Sequence, residues 1–310
     1  MANLRELHRR MTSISSTMQI TRTMSMISTA RIQHALAASQ SATAYKDAIT
    51  NMLSHVAAAA QGKVSHPLLT VHEQEKHVLF VLVASDRGLA GGFNITPQRM
   101  VERQIAQFTA EGKRASLITC GRKPTEYFVY RGHKPQLSFV GMSSEPTADE
   151  ASRISSYIID GYTEGEIDRV VLLYWHAKNR VDQVLVNEQL LPISASELVM
   201  PNNPRTDEAL SRVAASTYVE YDFEPSAHEV LYDLLPAYVK TVIYHALLDS
   251  AAAEHGARRR AMQSATDNAQ EVLGKLSRTY NRERQGAITT ELNEIIGGAS
   301  ALEDLSLIHI

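Results

Sequence analysis

The last stretch of the chain, Tyr280–Leu302 (YNRERQGAITTELNEIIGGASAL), places Ile288, Leu292, Ile295, Ala299 and Leu302 three or four residues apart. Those positions fall on one stripe of an amphipathic helix, leaving Arg282, Arg284, Gln285 and Glu294 outside it. At the other end, Leu7, Met11, Ile14 and Met18 keep a seven-residue repeat and then drift to Ile20, Met24 and Ile27. A helix with such a seam needs one partner helix. The Ala-rich tract Ala35–Ala60 holds neither Gly nor Pro, so the helix is expected to continue to near Gln61, before Gly62 and Pro67 stop it. At a rise of 1.5 Å per residue it would be on the order of 80 Å long, more than a compact domain needs.

The pattern changes in the middle of the chain. HVLFVLVA (His77–Ala84), SLITC (Ser116–Cys120) and RVVLLYWHA (Arg169–Ala177) are continuous apolar runs of buried-strand type. KPTEYFVYR and the stretch from Asp149 to Tyr162 read as helices between them, and Thr96-Pro97 reads as a helix start with threonine as cap. This alternation predicts a mostly parallel sheet covered on both faces: a doubly wound, Rossmann-like α/β domain over residues 73–192, with Val181–Leu191 as an added strand. Polar, proline-marked SASELVMPNNPRTDE belongs to a connecting loop over residues 193–225.

Ser226-x-x-Glu229 is a capping box that opens a second long helix, residues 226–304, which Pro236 is expected to restart. From Ser250 to Gln270 this helix is Ala, Ser, Arg and Glu with little bulk, a composition unlike ordinary core. Gly256 and Gly274 share a face; close approach of another backbone and simple tolerance both stay open as reasons for them. The two ends can meet only antiparallel, because the domain between them must return the chain to the same end. The fold class read from the pattern is therefore α/β: a long antiparallel coiled coil of the N-terminal (1–62) and C-terminal helices plus a central doubly wound domain.

Composition narrows the classes. With 310 residues, 44% hydrophobic and 21% charged, the chain suits one sizeable core plus an extension. Its longest apolar run, near Val78–Ala84, is far short of the roughly 20 residues that span a bilayer, so membrane contact is expected only through a partner. The single cysteine, Cys120, sits in an apolar strand and reads as buried, and the lack of a disulfide framework suits a reducing compartment. The net charge of -3 hides an asymmetry: no acidic residue lies between Glu6 and Asp47, where Arg9, Arg10, Arg22, Arg31 and Lys46 fall. Such a segment fits a transit peptide, a nucleic-acid-binding helix or a helix facing an acidic protein surface. No aromatic residue interrupts it before Tyr45 and no nucleic-acid motif accompanies it, and on the residues alone the three readings stay open.

Catalytic chemistry finds little support. SDRGLAGGFN (Ser85–Asn94) is a glycine-rich turn after the first strand, where a dinucleotide pyrophosphate would sit, but its G-x-x-G-G spacing is not G-x-G-x-x-G, and no G-K-[ST] occurs. The 12 histidines offer no H-E-x-x-H, and no G-x-S-x-G elbow is present. No cofactor or metal site is expected, and Arg258-Arg259-Arg260 reads as a solvated helix face that could meet acidic stator residues.

The pattern Ile288-Thr289-x-Glu291-x-x-Glu294-x-x-x-Gly298-Ala299-x-Ala301 resembles the C-terminal signature of the gamma subunit of F-type ATP synthases. The resemblance extends through Leu4–Ile32, SDRGLAGGFN, GRKPTEYFVYRG, NEQLLPI, the run from Phe223 to His255, and MQSATDNA, with Ala90 where many members carry cysteine. It implies a central-stalk rotor that binds no ATP itself and couples proton flow to synthesis at sites on the alpha and beta subunits. The implied partners are three alpha and three beta subunits, the epsilon subunit and the c-ring, with no nucleic acid, at the cytoplasmic face of a bacterial cell membrane. By the same resemblance, Arg284 and Gln285 are positions that hydrogen-bond a beta-subunit loop, with Thr289, Glu291 and Glu294 beside them in the signature. Arg9, Arg10, Met24 and Ile27 are expected near the beta lever or the helix crossing, and Tyr45, Tyr218, Tyr221 and Phe223 in the foot on the c-ring and epsilon. LSLIHI, Leu305–Ile310, follows the family's usual stop and resembles a non-native tail. The rival classes are a Rossmann-type nucleotide-binding enzyme and a free-standing coiled-coil scaffold.

Overall fold

A computed structural model describes residues 2–59, 66–193, 224 and 226–308, with side chains over 4–57, 66–193, 224, 226 and 228–299. Tyr218, Tyr221, Phe223 and most of the connecting loop lie outside the described residues. Along the chain run helix α1 (Ala2–Ala59), strand β1 (His77–Val83), α2 (Ile95–Ala110), β2 (Arg114–Cys120) and α3 (Arg122–Tyr130). Then come β3 (Leu137–Phe139), α4 (Ala148–Thr163), β4 (Arg169–Ala177), β5 (Gln183–Leu191) and α5 (Ala227–Ile308). The chain divides into two compact units, residues 28–258 and the combination of residues 1–27 with 259–310.

The larger unit contains a five-stranded sheet in the order β3-β2-β1-β4-β5. β1 to β4 are parallel and β5 is added antiparallel to β4. The order in which strands are added thus reverses between β1 and β4, the switch point of a doubly wound sheet. β1 reads as unbroken apolar sequence because both faces are covered. Val78, Phe80 and Leu82 pack under α2 and α3 with Val101, Ile105 and Phe128. Leu79, Val81 and Val83 point the other way, toward α4 and the paired ends of α1 (Leu53, Val56) and α5 (Leu231 to Leu247). Three residues of β3, too short to show a period, were not legible as a strand.

Local signals place the elements with some corrections. Helix α2 is capped at Asn94 rather than Thr96, so Pro97 stands one turn in, where its missing N–H still costs nothing. Thr147 and Glu150 form a capping box at α4, and the Glu229 N–H is held by Ser226 Oγ at the start of α5. Pro236 lies inside a continuous α5 and does not restart it. Arg258 is buried, so it is not part of a solvated face. The composition argument about Ser250–Gln270 also fails: Ser250 to Arg258 are all buried in the larger unit. Small side chains suit a helix that is packed on every side, because they let neighbouring backbones come close.

The N-terminal seam does not drift. Leu7, Met11, Ile14, Met18, Thr21, Ser25, Ser28, Ile32, Ala35, Ser39, Ala42, Lys46, Ile49, Leu53 and Val56 alternate steps of four and three, and all are buried or half-buried. Ile20 and Ile27, which carry the apparent drift, stand 61% and 52% exposed. The heptad continues through hydroxyl and alanine positions that an apolar pattern passes over. Its partner is α5, antiparallel within each unit. In the smaller unit Thr21 meets Thr266 at 2.8 Å and the ring of His8 meets that of Tyr280. In the larger unit Ser39 meets Asp249 and Thr43 meets His245.

Gly121 caps α3 with φ +113, and a Cβ there would lie 2.7 Å from the Ala84 carbonyl oxygen. Gly121→Ala is therefore expected to lower unfolding free energy by about 3 kcal/mol, combining left-handed strain with a backbone clash. Gly88, with open space around its Cβ position, should tolerate Ala. Urea unfolding of both variants checks this, and similar midpoints would contradict it.

Candidate functional site

Two polar clusters hold α5 in the larger unit; sequence reading singled out the glycine turn of one but not its bonds to α5, and did not name the other. Asp249 is 1% exposed. One of its oxygens accepts from Ser39 Oγ of α1 at 3.2 Å and from the Ala177 N–H of β4 at 3.1 Å. The other accepts from His176 Nδ1 at 2.5 Å. A single carboxylate thus ties both long helices to the sheet, and its burial is tolerable because each oxygen is bonded. One turn earlier, His245 Nε2 meets Thr43 Oγ1 at 3.0 Å. Burial, with the charge of Lys46 added, pulls this histidine down to about 4.

The second cluster is the glycine turn. Burial alone would raise the Asp86 carboxyl. The N–H groups of Gly141, Ser143 and Arg122, at 2.8 to 3.0 Å, outweigh that and hold it below the usual range. Arg122 opens α3, the helix after β2, so Asp86 caps that helix N-terminus with the chain's own carboxylate. Asn94 Oδ1 accepts from the Ser85 N–H and hydroxyl, which ties the turn's two ends together. Ala90 and Phe93 then pack against Ala253 and Ala257 of α5, with Trp175 donating to the Phe93 carbonyl. Arg258 donates toward the Gly88 carbonyl at 3.4 Å and pairs with Glu254 at 2.7 Å. Burial raises the Glu254 carboxyl even so. His255 is lowered to about 4 by burial and by the nearby Arg258, Arg31 and Arg87.

Gly256 has the Arg180 carbonyl oxygen at ordinary contact distance from a built Cβ, and Gly274 has nothing near it, so close backbone approach explains neither. Burial raises the Cys120 thiol to about 12, which leaves it protonated and inert. Among the described residues no group of three His, Cys, Asp or Glu side chains is placed to hold a metal.

The residues singled out by resemblance stand apart from both clusters. In the smaller unit Arg9, Arg10, Ile27, Arg284, Gln285, Thr289, Glu291 and Glu294 are exposed and Met24 is half-buried. Among the described residues Arg10 pairs with Glu6 one turn away, and the Thr289 hydroxyl donates to the Gln285 carbonyl. Past Ala287 every described side chain of α5 is exposed, including Ile288, Leu292, Ile295 and Ile296. The His8–Tyr280 register sets the first turn of α1 opposite Ala287, so no described residue covers the apolar stripe beyond it. Tyr45, in the larger unit, is exposed.

These features define a class: a doubly wound α/β domain whose glycine turn packs on a long helix, with two long helices paired along a heptad seam. A family model described as ATP synthase matches residues 3–302. The ATP synthase gamma chain of Pelotomaculum thermopropionicum is 42% identical, covering 98% of this chain and 100% of that one. That of Streptomyces coelicolor is 38% identical over 98% and 97%. The rotor of Euglena gracilis mitochondrial ATP synthase contains a similarly folded chain, with a TM-score of 0.61 at 17% identity, over 93% of this chain and 99% of that one. The chain belongs to the ATP synthase gamma-chain family.

The buried histidines set a pH dependence. In the unfolded chain they titrate near 6.5, while folded they stay neutral to about 4, so between those values the unfolded state binds more protons. Stability is therefore lost as pH falls through that window, and Asp86 adds a further loss at lower pH. Glu254 works in the opposite sense, because its raised carboxyl holds a proton more tightly when folded. The urea midpoint should drop from pH 7 to pH 5, and His255→Gln should flatten the slope. An unchanged slope in the variant would contradict the assignment.

Proposed function

We propose that this chain is the central-stalk rotor of an F-type ATP synthase, coupling proton translocation through a c-ring to ATP synthesis and hydrolysis by rotation. The observation that carries the reading is the exposed end of α5, where Ile288, Leu292, Ile295 and Ile296 stand 49–67% exposed on a helix that has outrun its partner. An apolar helix end of this kind needs a sleeve of another protein. In this reading the sleeve is a ring of three alpha and three beta subunits. The epsilon subunit and the c-ring meet the foot, to which Tyr45, Tyr218, Tyr221 and Phe223 belong. Supporting it are relatives named as gamma chains over almost their full length.

A rotor turning in a sleeve gains from having few strong contacts, since each one deepens a single rotational minimum. Arg284, Gln285, Thr289, Glu291 and Glu294 line the exposed helix end, and Arg9, Arg10, Met24 and Ile27 lie on α1. These are the positions at which the ring is gripped intermittently. The chain itself catalyses nothing in this reading: its glycine turn lacks the G-x-G-x-x-G spacing and packs against α5 through Ala90 and Phe93. It sits as a peripheral subunit on the cytoplasmic face of a bacterial membrane, and no helix among the described residues is long and apolar enough to cross one.

Arg284→Ala should leave the isolated protein's melting temperature unchanged, because the side chain is exposed, yet slow ATP hydrolysis and ATP-driven proton pumping in the reassembled complex. Wild-type rates for both would refute the role of Arg284. Met24→Lys, which sets a charge beside the beta lever, should lower protons pumped per ATP; an unaltered ratio would count against that placement. Purification from the membrane with alpha, beta and epsilon in one copy per complex supports the rotor, whereas self-association into a homodimer alone would favour a scaffold.

A further inference from the structure

The α5 segment from His245 to Arg258 is buried on all sides, but much of what it buries is small: Ala246, Ser250, Ala251, Ala252, Ala253 and Ala257. Apolar burial is non-directional and resists separation more than sliding. Small side chains also leave no deep ridges to stop a helix turning about its own axis between its neighbours. Directional resistance there must come from hydrogen bonds. Among the described residues several are available in the larger unit, one of them from Glu254 to Ser143 in the loop before α4. The Thr43–His245 bond joins the two helices without touching the sheet. The Arg258 bonds reach the glycine turn at 3.4 to 3.5 Å, near the limit of such contacts. Only Asp249 reaches α1, α5 and β4 together, through Ser39, Ala177 and His176.

We propose that Asp249 is the positioning residue that passes torque between the sheet and the helix pair, acting as a key that stops α5 from slipping in its small-residue groove. The proposal rests on the rotor reading. It assigns the carboxylate a mechanical task distinct from holding the fold together: the surrounding apolar core keeps the elements in contact, and the charge-assisted bonds to three directions fix their angle.

The test uses the complete complex in inverted membrane vesicles, measuring ATP hydrolysis and ATP-driven proton uptake together, with the melting temperature of each isolated chain. Asp249→Asn keeps an acceptor for Ser39 and Ala177 and offers an amide to the other tautomer of His176, so it should retain most of the protons pumped per ATP. Asp249→Ala removes all three legs and should hydrolyse ATP while losing pumping. Asp249→Leu refills the space without an acceptor and should pump as poorly as Asp249→Ala even if its melting temperature is higher. Ser39→Ala, a milder change that cuts only the leg to α1, should lower the ratio in the same direction. Wild-type pumping per ATP in the Ala and Leu variants would overturn the proposal, as would losses that simply follow melting temperature across the series. Failure of the unaltered chain to assemble and pump would instead overturn the rotor reading beneath it.

Discussion

Close approach of α5 to its neighbours is the constraint on which the structure depends. Along α1 the seam passes from Met18 through Thr21, Ser25 and Ser28 before apolar bulk returns at Ile32. Hydroxyls in such a place cost about 1–3 kcal/mol each if left unbonded. The Thr21 hydroxyl is bonded, and its contact across the seam also fixes register. Thr21 Oγ1 meets both the Met18 carbonyl and Thr266 Oγ1, and Thr266 bonds the Met262 carbonyl. In the larger unit Thr43 bonds the Ser39 carbonyl and His245, while Ser39 turns to Asp249. The seam is narrow because its residues are small, and specific because they are polar.

The same economy governs the α/β unit. A doubly wound sheet presents its C-terminal edge with a glycine turn and a helix N-terminus, the geometry that in other proteins receives a phosphate. In this chain the turn seats on α5 through Ala90, Phe93 and the Gly88 carbonyl, while Asp86 caps the neighbouring helix α3. A site shape built for a ligand has become a joint between domain and helix. That conversion fits a mechanical part better than a reaction vessel. It also leaves the exposed end of α5, not the sheet edge, as the surface that asks for a partner.

Much of this was legible in the sequence. The three long strands announce themselves as unbroken apolar runs, because a parallel sheet covered on both faces needs nothing else from its residues. The first long helix follows from the absence of Gly and Pro over Ala35–Ala60, and the second from its capping box and apolar stripe. That stripe reads as a face to be covered by the N-terminal seam, whereas the structure leaves its end bare. What stayed hidden has a common cause: the interactions lie in polar or small residues whose role depends on a distant partner. Thr21, Ser25 and Ser28 carry no hydrophobic signal, so Ile20 and Ile27 misled the period. Asp249 and Arg258 look like solvated charges until the far side of the helix is known to be covered. The one local hint was an acid set among alanines and serines that offer it no partner of their own.

The account stands on the heptad seam continuing through Thr21 rather than shifting to Ile20, and cysteine pairing across α1 and α5 tests it most directly. Thr21→Cys combined with Thr266→Cys should cross-link readily under mild oxidation, since their hydroxyls lie 2.8 Å apart and a disulfide needs Cβ atoms about 3.5–4.5 Å from each other. Ile20→Cys combined with Thr266→Cys should not, because that side chain points away from the seam. Cys120, buried and protonated, will not compete. Efficient cross-linking of the Ile20 pair, with none at Thr21, would contradict the account.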